Sequence, residues 1–428
     1  MQSSIATRMS RAALQGLFDQ ALWSLASFGV TFMAARSLDS HAFGAFSLAF
    51  AAHLFVLGLS RAITSECLVL DISGATEEEW RSGLQQAAGT AVCLGVVAAA
   101  GAVAVGTAWK GSAGASLVAM GIFFPGLLLQ DLWRFAFFAV RRGEAACIND
   151  LVRAAGMSVG LVAGTWTAPS APSFALIVGA SGAVAGLVGM AQVRAVPRLS
   201  GAGEWLTSRR HLVCYFAGQF LIQTGSAHVV LLLIAGLAGL AAVGGIRAAQ
   251  ILLGPVHAAI ASAGLFAIPE GVRQRRGGGV DAVCRIGLRV SVGLLAVVSA
   301  CTAVAGLTPH RIGEAILREN WAVARAFLAP VAVAAAATAV ATGAATVLRG
   351  LGDARRGLWG GAFQGLFGVV AAGVGAALAD GQGAAWGIAA SAIAACVVWW
   401  GLCARALRDA GSEASLRGVL APSAHWET

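Results

Sequence analysis

The stretch FPGLLLQDLWRFAFFAVRR (124–142) decides how this chain is read. It is apolar over a length that suits a bilayer-crossing helix, which needs about 20 residues for a hydrocarbon core of roughly 30 Å. It also carries Gln130, Asp131 and Arg134 in its interior. Gln130 and Arg134 stand at i, i+4 and Asp131 and Arg134 at i, i+3, so a helix puts all three on one face. Counted back from Arg141 at about 1.5 Å per residue, Asp131 and Arg134 lie roughly 10 to 15 Å deep. A charge at that depth costs about 2.5 to 3.5 kcal/mol and needs a partner or a watery cavity.

The rest of the chain fits the membrane reading. Of its 428 residues 58% are hydrophobic and 11% charged, with a mean hydropathy of +0.78; a soluble domain carries about 25% charge. An all-α, polytopic membrane helix bundle follows, with about twelve spans. They fall near 12–35, 42–63, 83–108, 113–140, 150–168, 172–192, 211–235, 239–268, 286–307, 324–348, 357–379 and 383–404. The first run holds Gln15, Asp19 and Gln20, which a signal-peptide core would tolerate poorly, so it is read as a retained span. With the N-terminus inside, most of the 29 Lys and Arg fall in inner segments. Both termini are thus expected in the cytoplasm, and the net charge of +9 reflects the membrane surface rather than nucleic-acid binding.

One of the two long inner breaks, VRAVPRLSGAGEWLTSRR (193–210), follows six spans and precedes six. It predicts two pseudo-symmetric six-helix lobes, 1–195 and 211–406, with a cytoplasmic linker at 196–210 and a cytoplasmic tail at 407–428. Weak internal similarity at an offset of 200 aligns Gly44 with Gly244 and Ala49 with Ala249, as parallel repeats would. Pro125, Pro255 and Pro330 fall inside spans and are read as kinks. Trp80, Trp109, Trp166, Trp205, Trp321 and Trp386 lie near span ends and are read as interface anchors.

Several chemistries are excluded. The single lysine, Lys110, follows no phosphate loop, the histidines form no metal pair, and no nucleophile elbow occurs. The eight cysteines show no paired spacing. An enzyme is not expected, nor a cofactor beyond H+ or Na+ as a coupling ion. What remains is a set of polar stripes within spans: Gln15 and Asp19 in the first, the 130–134 face in the fourth, Gln219 and Gln223 in the seventh, and Arg247 and Gln250 in the eighth. Four helices with such stripes are the pattern of a hydrated cleft. Equally, Asp131 and Arg134 can neutralise each other, or Asp19 can pair with Arg134. Arg247 has no acid within four residues and suits an anionic substrate group. Arg61 and Glu66, in GLSRAITSE, form either an inner gate or a surface ion pair.

The stretches DQALWSLASF, ARSLDSHAFGAFSLAFA, LLLQDLWRFAFFAVRRGEAACIND and IRAAQILLGPV resemble the polysaccharide-export, O-antigen flippase branch of the multidrug/oligosaccharidyl-lipid/polysaccharide (MOP) exporter superfamily, most closely over 15–155 and 215–276. The resemblance implies a MATE-like two-lobe bundle around a cationic cavity that alternates between inward-facing and outward-facing states in the bacterial cytoplasmic membrane. It implies an undecaprenyl-linked glycan as substrate, driven by protons, sodium or the membrane potential. Membrane lipids, and a polysaccharide polymerase or glycosyltransferases, would be its partners. Carried onto this chain, Arg134 and Arg247 would attract the phosphate-sugar headgroup, Gln219, Gln223 and Gln250 would bond hydroxyls, and Asp19 and Asp131 would titrate. The chain departs from the lipid II branch in having about twelve spans rather than fourteen. Its acid in the first span instead resembles the cation-coupled MATE multidrug exporters, the alternative reading.

Overall fold

The computed structural model describes residues 22–71, 76–140, 142–164 and 168–420, with the side chains of 71, 257, 261–280, 354 and 410–420 left aside. Among the described residues every regular element is a helix. In chain order they are α1 (22–37), α2 (Ser40–Leu70), α3 (Glu77–Ala108), α4 (Ser112–Gly121), α5 (Phe124–Ala139), α6 (Gly143–Gly164), α7 (Ala171–Val193), α8 (Ala202–Ser208), α9 (Arg210–Leu237), α10 (Leu240–Leu252), α11 (Gly254–Leu307), α12 (His310–Leu317), α13 (Asn320–Leu351) and α14 (Ala354–Leu420). Eight helices are long and apolar enough to cross a membrane, or ten when α4 with α5, and 239–252 with Gly254–Ile260, each count as one bent span.

The 55-residue span in α14 is two crossings. Ala379 and Asp380 leave helical geometry, Asp380 at φ 50°. Trp399 Nε1 donates to Gln364 Oε1 at 3.2 Å, and a Cβ on Gly375 would stand 2.1 Å from the carbonyl oxygen of Gly383. Those pairings run antiparallel across the break, so the element is a helical hairpin whose arms match the eleventh and twelfth spans read from the sequence.

The expected kink at Pro125 is instead a break. The helix ends at Gly121, and α5 restarts at Phe124 with a 52° change of direction. Proline lacks the amide hydrogen that only a helix interior needs, so it sits without cost in the first turn of the new helix. Pro255 likewise opens α11, while Pro330 lies inside α13.

The helices pack as two units, one of 1–248 with 310–324 and the other of 249–309 with 325–428. By contact, α9, most of α10 and the α12 segment fall in the first unit. In that unit α2 and α10 cross at Gly44 and Gly244. A Cβ on Gly44 would fall 1.8 Å from Leu240 O and 3.2 Å from Gly244 N, and one on Gly244 would fall 2.0 Å from Ser40 O and 3.1 Å from Gly44 N. Each glycine meets its own repeat mate and the mate's neighbour four residues earlier. This is the reciprocal contact of a local two-fold axis, and only glycine admits it.

Nearby, two helix ends exchange caps. Arg36 donates through Nη1 to the carbonyls of Ala315 and Ile316 in the last turn of α12, the second at 2.9 Å. Asn320 Nδ2 donates to Ala35 O at 2.7 Å and Leu38 O at 2.6 Å, at the end of α1. Both side chains satisfy carbonyls that a helix C-terminus leaves unpaired.

The expected linker also docks on the first unit. Arg198 N donates to Gln85 O, Gln86 Nε2 to Glu204, and Trp205, wholly buried, donates its indole to Ile63 O at 3.0 Å. Trp205 and Trp321 are therefore core side chains rather than interface anchors, whereas Trp386 is half exposed as an anchor should be. The second unit is apolar inside: its clusters join α13 to residues near both ends of α11 and to α14, and Ser291 and Trp400 both donate to Val340 O.

Candidate functional site

Two helices that pack on α7 carry the same pattern. α5 holds QDLWR (130–134) and α6 holds NDLVR (149–153), so each presents an amide, an acid and an arginine on one face. Among the described residues the buried Asp and Arg side chains are these four alone: Asp131, Arg134, Asp150 and Arg153, at 3 to 8% exposure. Glycine and alanine on α7 bring that helix close enough for backbone to join. Trp133 Nε1 donates to Gly186 O at 3.1 Å and Asn149 Nδ2 to Ala185 O at 2.8 Å.

The charges interlock across helices rather than along one. Arg134 Nε lies 3.2 Å from Asp150, and Gln130 Nε2 donates to Asp150 at 2.7 Å and to Asn149 at 3.2 Å. Arg153 donates to Gln130 Oε1 at 3.1 Å. Arg61 closes the network from α2 through a two-pronged pair with Asp131, Nε at 2.7 Å and Nη2 at 2.6 Å. That geometry matches guanidinium to carboxylate and is the strong form of such a bond. Arg61 opens a π-helical turn, Arg61–Ser65, whose wider loop re-aims its residues and leaves Ile63 O for the Trp205 indole.

Among the described residues three arginines thus share this network with two aspartates, an excess of one positive charge. The Arg61 side chain is 28% exposed, so the network is closed on α5 and α6 and open at Arg61. On the same helix His53 is wholly buried, its ring stacked on Phe124, with neither nitrogen hydrogen-bonded among the described residues.

The expected site residues are distributed as follows. Asp131 and Arg134 are brought together with Arg61, but Asp131 pairs with Arg61 and Arg134 with Asp150 rather than with each other. Arg61 and Glu66 are not within ion-pair distance; Glu66 is exposed and follows the π-turn directly, its N–H donating to Arg61 O. Gln219 is half-buried on α9, and Gln223 is exposed within that helix's own π-turn, Leu221–Gly225. α9 lies along α2, where Phe55 packs on Phe220 and His228. Arg247 is half-buried in the first unit near His228, whereas Gln250 belongs to the second unit. Asp19 lies outside the described residues. The sequence reading missed Asn149, Asp150 and Arg153. The signal that finds them is the repeat of QDLWR as NDLVR on the next helix. No group of His, Cys, Asp and Glu among the described residues could hold a metal ion.

No family model matches the chain, and no curated protein matches its sequence. Solved structures do match its fold. An inward closed conformation of the lipid II flippase MurJ superposes with a TM-score of 0.66 at 10% identity, covering 91% of this chain and 86% of that one. An inward-facing multidrug resistance MATE family transporter of the MOP superfamily superposes at 0.62 with 14% identity, covering 94% and 99%. A MOP superfamily transporter from Pyrococcus furiosus, described as having a binding pocket of reverse polarity, superposes at 0.55 with 14% identity, covering 94% and 95%. The chain is a multi-pass membrane protein with the all-α, twelve-helix, MATE-like fold that these structures share.

Proposed function

We propose that the chain is a transporter of the MOP type that moves a lipid-linked oligosaccharide or polysaccharide precursor across the bacterial cytoplasmic membrane by alternating access. The observation that carries this reading is the excess of guanidinium over carboxylate, among the described residues, in the buried network of Arg61, Asp131, Arg134, Asp150 and Arg153. A site for a cationic drug needs the opposite imbalance, whereas a phosphate or pyrophosphate headgroup is attracted to this one. The fold shared with a lipid II flippase supports the same reading.

In this account Arg134 and Arg247 draw in the phosphate-sugar headgroup, and Gln219, Gln223 and Gln250 bond its hydroxyls. Asp19 and Asp131 are the groups that take up a coupling ion. Protonation of Asp131 would release Arg61, and Glu66 is the next carboxylate on the same helix that the freed guanidinium could meet, which makes Arg61 and Glu66 the gate. Both termini are cytoplasmic, and a polysaccharide polymerase or glycosyltransferases act on the same lipid-linked intermediate.

A strain lacking the protein tests this. It is expected to lose surface polysaccharide and accumulate a lipid-linked intermediate, with both defects restored by the intact chain. Normal surface polysaccharide with no accumulated intermediate contradicts the reading. The alternative, a cation-coupled MATE-type multidrug exporter, rests on Asp19 and on the equally shared MATE fold. It predicts drug resistance on overexpression that disappears in Asp19→Asn.

A further inference from the structure

At one end of the first unit, the start of α3 and the ends of α5 and α7 enclose a groove of about 140 Å³. Its floor is apolar: Leu84 and Phe137 are buried there, and Val140 and the half-buried Trp80 form the walls. Two exposed arginines stand at its mouth. Arg81 lies in the second turn of α3, and Arg142 follows the end of α5 with its guanidinium over the Phe137 ring at 5.8 Å. Among the described residues neither guanidinium has a carboxylate within ion-pair distance, although Glu77 also lines the groove. Three span ends that alternating topology assigns to one side of the membrane meet here. The groove therefore opens where headgroups begin.

We propose that this groove binds an anionic phospholipid of the surrounding leaflet. Arg81 and Arg142 hold the phosphate oxygens as a pair of donors, and Val140 and Trp80 cover the glycerol and the first methylenes. Two arginines and one glutamate leave a single positive charge, which a headgroup of charge −1 neutralises and a zwitterionic one does not. Glu77 is then free to accept hydrogen bonds from headgroup hydroxyls, so a hydroxylated anionic headgroup such as phosphatidylglycerol fits best. A free phosphate ion would leave the apolar wall uncovered. The proposal does not rest on the transport reading.

Native mass spectrometry of the full chain, released from detergent after equilibration with equal phosphatidylglycerol and phosphatidylcholine, tests it. The wild type is expected to retain phosphatidylglycerol preferentially, and Arg81→Gln/Arg142→Gln to lose about tenfold of that preference. Both positions are exposed, so the variant should melt with the wild type. The matched control Arg405→Gln/Arg408→Gln, on exposed positions of α14, should keep the preference. Equal retention of both lipids by the wild type overturns the proposal, as does an unchanged preference in the double variant or an equal loss in the control. Retention of a lipid-linked sugar phosphate in place of phospholipid overturns it too.

Discussion

Replacing Asp150 with asparagine keeps the size of the side chain and its capacity to accept from Gln130, and removes one charge. The carboxylate accepts from Gln130 at 2.7 Å, stands 3.2 Å from Arg134, and is 3% exposed. Without it, Asp131 is the one aspartate among the described residues left to share the network with three arginines. Arg134 and Arg153, at 8% and 4% exposure, cannot hydrate to compensate. Removing one partner of a buried pair costs about 3 to 5 kcal/mol. At about 2 to 4 °C per kcal/mol for a unit of this size, the melting temperature should fall by roughly 6 to 20 °C. Asp131→Asn should cost less, about 1 to 2 kcal/mol, because the Arg61 side chain left behind is 28% exposed and can reach water. Arg134→Gln added to Asp150→Asn restores the charge balance and should recover part of the loss, since the two sites share one interaction. Tryptophan fluorescence of purified protein in detergent, heated at one fixed scan rate, reads all four chains. If Asp150→Asn melts within about 2 °C of the wild type, or if Asp131→Asn is the more damaging change, Asp150 does not neutralise this network.

Three further outcomes are expected. Gly44→Leu forces α2 from α10, since even a Cβ there would lie 1.8 Å from Leu240 O; a melting temperature at the wild-type value in this variant refutes the close crossing. Asn320→Ala strands the carbonyls of Ala35 and Leu38 at a cost of about 2 kcal/mol or more, read as lower thermal stability, whereas Asn320→Asp should do no better because it removes the donor. In a cysteine-free background, cysteines placed at Arg81 and Arg142 should react with a membrane-impermeant maleimide from one side of sealed vesicles and a cysteine at Gly111 from the other; labelling of all three from one side contradicts the alternation of spans.

The spans were legible because hydropathy is local. The arms of α14, the boundaries of α7 and the glycine pair 44/244 can all be read from short stretches of sequence. The polar face of QDLWR was legible for the same reason, since helical spacing alone places Gln130, Asp131 and Arg134 together. Their partners were not. Arg61 reaches Asp131 across a separation of 70 residues, through a π-turn that no periodicity announces. Asp150 was lost to a boundary: the fifth span was read from 150, but α6 begins at Gly143, which moves Asn149 and Asp150 from the edge of the span into its second turn. The docking of Trp205 on Ile63 O was hidden because composition marks the 193–210 segment as a polar break and says nothing of where one indole lands.

The central claim is tested most directly in proteoliposomes holding the purified chain and an undecaprenyl pyrophosphate-linked oligosaccharide labelled on its sugar. Enzymatic access to the label from outside reports translocation. The account predicts that the chain accelerates exposure of inner-leaflet label when an ion gradient or membrane potential is applied, and that Arg247→Gln slows it at least about tenfold. No acceleration in intact, correctly melting protein, together with gradient-driven efflux of a cationic drug from the same vesicles, would contradict it.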